Sequence, residues 1–447
     1  MTTPSAASKL RTICIIVVSS ILVVVLVAFG ARWRLEQRAH EAADVLVADA
    51  RERTAAAEHV ARPSHVDEPT SGTLAEALGP LMPELIALYD SQPRPSEAVG
   101  EACSDVRDGV RPLSELPREC REALEKGRSL VQRTLRTSRA AVGGLPEGLR
   151  IFDDPKHPYQ RTALLPIQNI LKLAALEMRF QTEQGQADAA LESCLDGLAL
   201  ARDMGYGNAL IGAMVSASGH DLLFFPCAEA LDHATPGARR RAQVALRRIR
   251  ASLAPFSSAL RDERVYMPLL TAGWTLDRNQ LDALPAGARA VATEVNAYMA
   301  YITPTNMPPL VVRALMQEAW PISQKLNDQA IAVADLPPAQ RSARLVTLGR
   351  AFERSWNPFL RGDGPDYELF AGRLDKQRAR LDLLLALALV KEHRAESGTW
   401  PSAPPPLYSE REVLLPTALK LQPAEGGKLL LFSEALKPEE LSVTATP

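Results

Sequence analysis

Aromatic side chains are scarce in this chain, where Phe, Tyr and Trp together make up 5% of 447 residues. Strands are enriched in aromatic and β-branched residues, so the scarcity argues against a β-sandwich. An excess of one charge sign is also missing, with 51 Lys and Arg against 53 Asp and Glu. That balance supplies no global field for holding a polyanion and excludes a dedicated nucleic-acid binder. Cysteine is limited to five residues, too few for a disulfide-dense miniprotein, and no Cys-x-x-Cys or Cys/His ligand spacing occurs. The seven histidines show no His-x-x-x-His pattern, and no nucleophile elbow surrounds a serine. No metal or cofactor is therefore expected. What abounds is 67 Ala and 63 Leu, about 29% of the chain. Both are strong helix formers, which predicts a mainly α fold.

Only one apolar run is long: Ile13 to Phe29, in which Ser19 and Ser20 alone are polar. With Gly30 and Ala31 it approaches the ~20 residues that cross a bilayer as a helix. Trp33 falls where an interfacial aromatic is expected. The run reads as a transmembrane signal anchor over 13–31, behind a short cytoplasmic tail over 1–12. Lys9 and Arg11 before it, and small residues at Ala28 and Gly30, also fit a cleaved signal peptide, although such h-regions usually span only about 7–15 residues. Arg32, Arg34 and Arg38 nearly balance the positive-inside rule. The short N-terminal tail sets the orientation, leaving the bulk of the chain outside the cytoplasm. Only ten of the 51 basic residues are Lys. That excess of Arg, with the Ala/Leu bias, looks like a GC-rich bacterial genome and hence an inner-membrane protein with a periplasmic body.

Beyond the anchor, Leu35, Ala39, Ala42, Leu46, Ala50, Ala57 and Val60 follow one helical face, predicting an amphipathic stalk over 32–61. Pro, Ser, Gly and charge over 62–73 mark a linker. From 74 to 400 the chain repeats Ala/Leu-rich helical segments divided by Gly or Pro, which predicts an irregular array of helical hairpins, as a solenoid or a bundle. The eight apolar residues Leu383 to Val390 belong in its core. Residues 401–437 hold a Pro-rich connector and a hairpin, with strands at Leu419 to Gln422 and Lys428 to Phe432. The acidic tail 438–447 reads as disordered.

Within the array, LAALEMRFQTEQGQADAALESCLDGLALARDMG places small residues at Ala174, Ala175, Ala190 and Ala199 around a turn at Gly185. This stretch resembles one tetratricopeptide repeat, which implies a two-helix hairpin. The turn Gly398-Thr399-Trp400-Pro401 resembles the Gly-x-aromatic-Pro turn after a helix in type IV pilin-like and secretion-system proteins. Residues 1–20 contain no prepilin processing motif, which argues against a pilin. The order of anchor, stalk, hairpins and turn is similar to that of large uncharacterised membrane-anchored bacterial families.

Few residues point to chemistry. Cys103 and Cys120 flank a Pro- and Gly-punctuated stretch and are the candidate disulfide, closing a loop that would stabilise by about 3 kcal/mol. Cys194 and Cys227 fall within predicted helices and are expected to be ordinary buried thiols. Arg240, Arg247 and Arg248 share a helix face and form a candidate interaction stripe for anionic lipid or an acidic partner. His220, in the apolar segment MVSASGHDLLFF, is expected to be a core histidine satisfied by a helix carbonyl. Asp262 and Glu263 read as a salt-bridged surface. The leading expectation is a non-enzymatic, membrane-anchored scaffold that meets another envelope protein. Alternatives are an envelope hydrolase using His220 and Glu263, or an accessory subunit of a pilus or secretion system.

Overall fold

A computed structural model describes residues 6–58, 64–92, 95–143, 164–275, 278–284, 289, 309–358, 360–361, 366–408, 417–434 and 441–447. The protein is mainly helical, at 74% helix. Strands among the described residues are confined to a two-stranded and a three-stranded sheet.

Helix α1 (Ala6–Glu58) is continuous through the apolar run and through the predicted stalk as far as Glu58. Its 53 residues reach about 80 Å at ~1.5 Å per residue. The side chains of the stalk stripe, from Leu35 to Ala57, and the whole of Val60, lie outside the described residues.

The expected linker is corrected by the structure, because residues 64–73 are docked on the body. Strand β1 (Thr70–Thr73) pairs in parallel with β2 (Ala140–Val142). His65 is 2% exposed, and its Nε2–H donates to Asp196 Oδ1 at 2.8 Å. Arg139 holds the same carboxylate through Nε at 2.9 Å and Nη2 at 2.8 Å. Thr73 then caps α2 (Leu74–Leu78) in a reciprocal capping box with Glu76. Composition marks a linker, but docking depends on partners 131 residues away.

Helices α3 (Met82–Ser91), α4 (Glu97–Arg107) and α5 (Arg118–Thr137) follow. In α5, Leu124, Leu130, Val131 and Leu135 bury one face while charged residues cover the other. Helices α6 (Leu165–Glu183) and α7 (Ala187–Asp203) form the predicted hairpin. Gly185, at φ +76°, supplies the left-handed turn between them, a conformation that a side chain would strain. Helix α8 (Ala209–His233) packs against both, and Gly219 allows the close approach. A Cβ at Gly219 would lie 2.8 Å from both Ala201 Cβ and Leu171 Cδ1.

Helices α9 (Pro236–Ala251), α10 (Phe256–Thr275), α11 (Arg278–Ala283), α12 (Pro309–Ala334), α13 (Pro338–Glu353) and α14 (Tyr367–Ser397) complete the described helices. Two apolar clusters form the core. One gathers α2 to α9, the second half of α14 and the C-terminal sheet. The other gathers Leu210, Ala213 and Ala217 of α8 with α10, α12, α13 and the first half of α14. Leu383 to Ala388 are all at most 1% exposed, as their unbroken apolarity predicts.

Strands β3 (Leu419–Ala424) and β4 (Lys428–Ser433) form the expected hairpin. The tail does not read as disordered where it is described. Strand β5 (Ser442–Ala445) pairs antiparallel with β4. Thr446 N–H donates to Asp232 Oδ1 at 2.9 Å, and Lys391 Nζ donates to Thr446 O at 2.9 Å. Residues 438–440 lie outside the described residues. The alternating apolar residues Leu441, Val443 and Ala445 fill the sheet's inner face, and acidity at the start of the tail conceals that pattern. The Gly-x-aromatic-Pro turn joins helix to sheet. Gly398 ends α14 at φ +75°, Trp400 Nε1–H donates to Gly427 O at 2.8 Å, and the Arg394 guanidinium lies 4.2 Å from the Trp400 ring centroid.

Candidate functional site

The feature most exposed to its surroundings is the apolar part of α1. Residues Ile15–Arg34 have a mean hydropathy of 2.6, and none of the stretch is buried in the body. This segment is long and apolar enough to span a membrane, and an N-terminal signal sequence can pass the same test of length and hydropathy. Helix α8 passes the same test of length and hydropathy but is 72% buried, so it is a core helix.

Cys103 in α4 and Cys120 in α5 are joined by a disulfide across 17 residues. The expectation for the other two cysteines is corrected, because Cys194 of α7 and Cys227 of α8 are also joined. Both are 0% exposed. Gly197 and Gly219 bring α7 and α8 close enough for two mid-helix cysteines to meet, a geometry that their separation of 33 residues does not announce.

The arginine stripe lies on α9 and turns towards its own chain. Arg240 Nη1 contacts Glu392 Oε1 at 3.4 Å, Arg247 Nε donates to Leu407 O at 2.9 Å, and Arg248 Nη1 lies 2.9 Å from Asp67 Oδ1. The three guanidiniums thus hold α14, the Pro-rich connector and the docked segment after α1 against one helix. The spacing in the sequence shows a shared face, and the partners come from three distant segments.

His220 is fully buried and bonds Ser216 O through Nδ1 at 2.9 Å, with Gln377 Nε2 2.8 Å from the same nitrogen. Its Nε2 has no partner among the described residues. Burial pushes its pKa down to about 4, so the ring is neutral at pH 7. Glu263 corrects the surface reading of its segment, for it is only 8% exposed and neighbouring Asp262 only 2%. Burial raises the Glu263 carboxyl to about 7, against the pull of the Leu210 N–H that donates to Oε2 at 3.1 Å. Glu263 therefore closes the N-terminus of α8. Leu210 and His220 are separated by ten residues of one helix, about 15 Å along its axis. The two residues considered for acid-base chemistry do not meet.

Two polar hubs escape notice in the sequence. Besides the His65–Asp196–Arg139 cluster, Asp382 is 0% exposed and accepts from Arg250 Nε at 3.1 Å, Thr417 N–H at 2.8 Å and the Tyr408 hydroxyl. Burial first, then the Asp382 charge, pushes the Tyr408 phenol far up, so it remains a donor. A groove of ≈ 690 Å³ lies between α13 and α14, where Leu345, Val346 and Leu369 meet Arg350, Glu353 and Arg373. Neither His220 nor Glu263 lines it. Among the described residues no group of His, Cys, Asp and Glu could hold a metal ion.

These features define the class only as a mainly helical protein with an exposed apolar N-terminal helix. No protein-family model, curated protein or solved structure matches the chain.

Proposed function

We propose that this is a membrane-anchored scaffold of the bacterial envelope, without catalytic activity of its own. Its helices form an irregular hairpin array held in the periplasm by one inner-membrane helix. The observation that carries the reading is the apolar stretch Ile15–Arg34, none of which is buried in the body and which is continuous with the rest of α1. Lipid is the surrounding that such a stretch requires. Two disulfides accord with an oxidising compartment, where such bonds persist. The mixed apolar and charged groove between α13 and α14 suits a protein partner with an apolar centre and polar rim.

Carbonate extraction and protease treatment of spheroplasts test the anchor. The expected result is a full-length chain that resists extraction and loses its body to added protease. A shortened soluble chain, or a body shielded until lysis, overturns the assignment. Crosslinkers placed at Arg350 and Arg373 test the scaffold, with one envelope protein captured in stoichiometric yield as the expected product. Crosslinks to no discrete protein would refute the partner reading.

A further inference from the structure

The two disulfides differ in access. Cys103 is 9% exposed and Cys120 is partly exposed beside the loop between α4 and α5. Cys194 and Cys227 are sealed at 0%, in a core where α5 and α9 flank α7 while α6 and α14 flank α8. Thiol–disulfide exchange requires a thiolate to reach a disulfide sulfur and pass through a mixed disulfide. No protein oxidant can make that approach to Cys194 or Cys227 in the folded body.

We propose that the Cys194–Cys227 bond is installed on the incompletely folded chain by a disulfide-bearing oxidase, whereas Cys103–Cys120 stays open to exchange after folding. The proposal rests on export of the body and adds that the body crosses the membrane unfolded. The Cys194 thiolate attacks the oxidase disulfide and expels one thiolate of the oxidase. The Cys227 thiolate then attacks Cys194 Sγ and releases the second. Two thiols lose two protons and two electrons, and the oxidase disulfide becomes a dithiol.

Chain order provides the opportunity. Helix α14, which covers α8, begins 140 residues after Cys227. At synthesis rates of about 5–20 residues per second, the pair precedes its cover by about 7–28 seconds, long enough for disulfide formation on the scale of seconds. A body that folds before transport would seal both thiols away from any periplasmic oxidant.

The test uses full-length protein in detergent. Under native conditions with dithiothreitol, timed iodoacetamide quenching and peptide mass mapping should show Cys103 and Cys120 alkylated at least about a hundredfold faster than Cys194 and Cys227. Urea should abolish the difference. Equal rates in the native protein overturn the proposal, as do free thiols at 194 and 227 in acid-trapped protein from its own cells. In pulse-labelled cells the inner bond should already be present in chains still sensitive to protease, and its appearance only in resistant chains also overturns the proposal. A body that carries both bonds yet is shielded in spheroplasts defeats the periplasmic assignment while leaving the difference in access intact, so the two failures are distinguishable.

Discussion

Replacing Glu263 by Gln should change how stability depends on pH. The wild-type carboxyl titrates at about 7 instead of 4.5 because burial opposes its charge. The folded state therefore holds this proton more tightly than the unfolded state. The resulting stabilisation is complete below pH 4.5 and is lost as pH rises to about 7. At about 1.4 kcal/mol per pH unit, the loss reaches about 3 kcal/mol. His220 acts in the opposite sense. Its folded pKa falls from 6.5 to about 4, so stability is complete above 6.5 and declines as pH falls to about 4. Over the shared window the two slopes oppose each other, and the pair leaves wild-type stability nearly flat. Glu263→Gln retains an acceptor for the Leu210 N–H and removes the ionisation. Relative to wild type, the variant should gain about 3 kcal/mol between pH 4.5 and about 8. Its own stability should rise from pH 4 to 6.5, following His220. Urea unfolding by far-UV circular dichroism across that range measures both. A difference between variant and wild type that stays constant with pH would refute the reasoning, since it would mean that Glu263 is charged or solvated in the fold.

Gly219→Ala should cost about 1–3 kcal/mol in urea unfolding, because the new methyl meets Ala201 and Leu171 at 2.8 Å. Replacing Cys194 and Cys227 together by Ala should cost about 4 kcal/mol, and replacing Cys103 and Cys120 about 3 kcal/mol, in the order of their 33- and 17-residue separations. Asp382→Asn removes the charge opposite buried Arg250 and should destabilise by about 3–5 kcal/mol, read as a lower melting temperature. Changing Arg240, Arg247 and Arg248 to Gln should leave retention on anionic liposomes unchanged while speeding proteolysis at 401–408; loss of retention would restore them as a lipid-facing stripe.

The parts of the fold that follow from local periodicity were legible in the sequence. The α6–α7 hairpin, the buried run Leu383 to Val390 and the β3–β4 hairpin each declare themselves within about thirty residues. Docking did not declare itself. His65 reads as part of a Pro/Ser linker, and only the fold brings Asp196 to its ring. Cys194 and Cys227 read as isolated thiols because helix spacing says nothing about which faces of two helices touch. Glu263 sits in the polar stretch Leu260 to Val265, where flanking arginines suggest a surface, yet its carboxylate turns inward to close the end of α8. Local pattern predicts elements, and buried polar partners are chosen by tertiary contact.

Helices α8 and α14 contribute to both apolar cores, whereas α6 belongs only to the first and α12 only to the second. Neither core can open without stripping residues from helices that complete the other. The body should therefore open as a single cooperative unit despite its two cores, with the most protected amides of α6 and α12 exchanging through one shared opening. Loosening of the groove beside α14 should thereby raise exchange in the helices that carry the sealed disulfide.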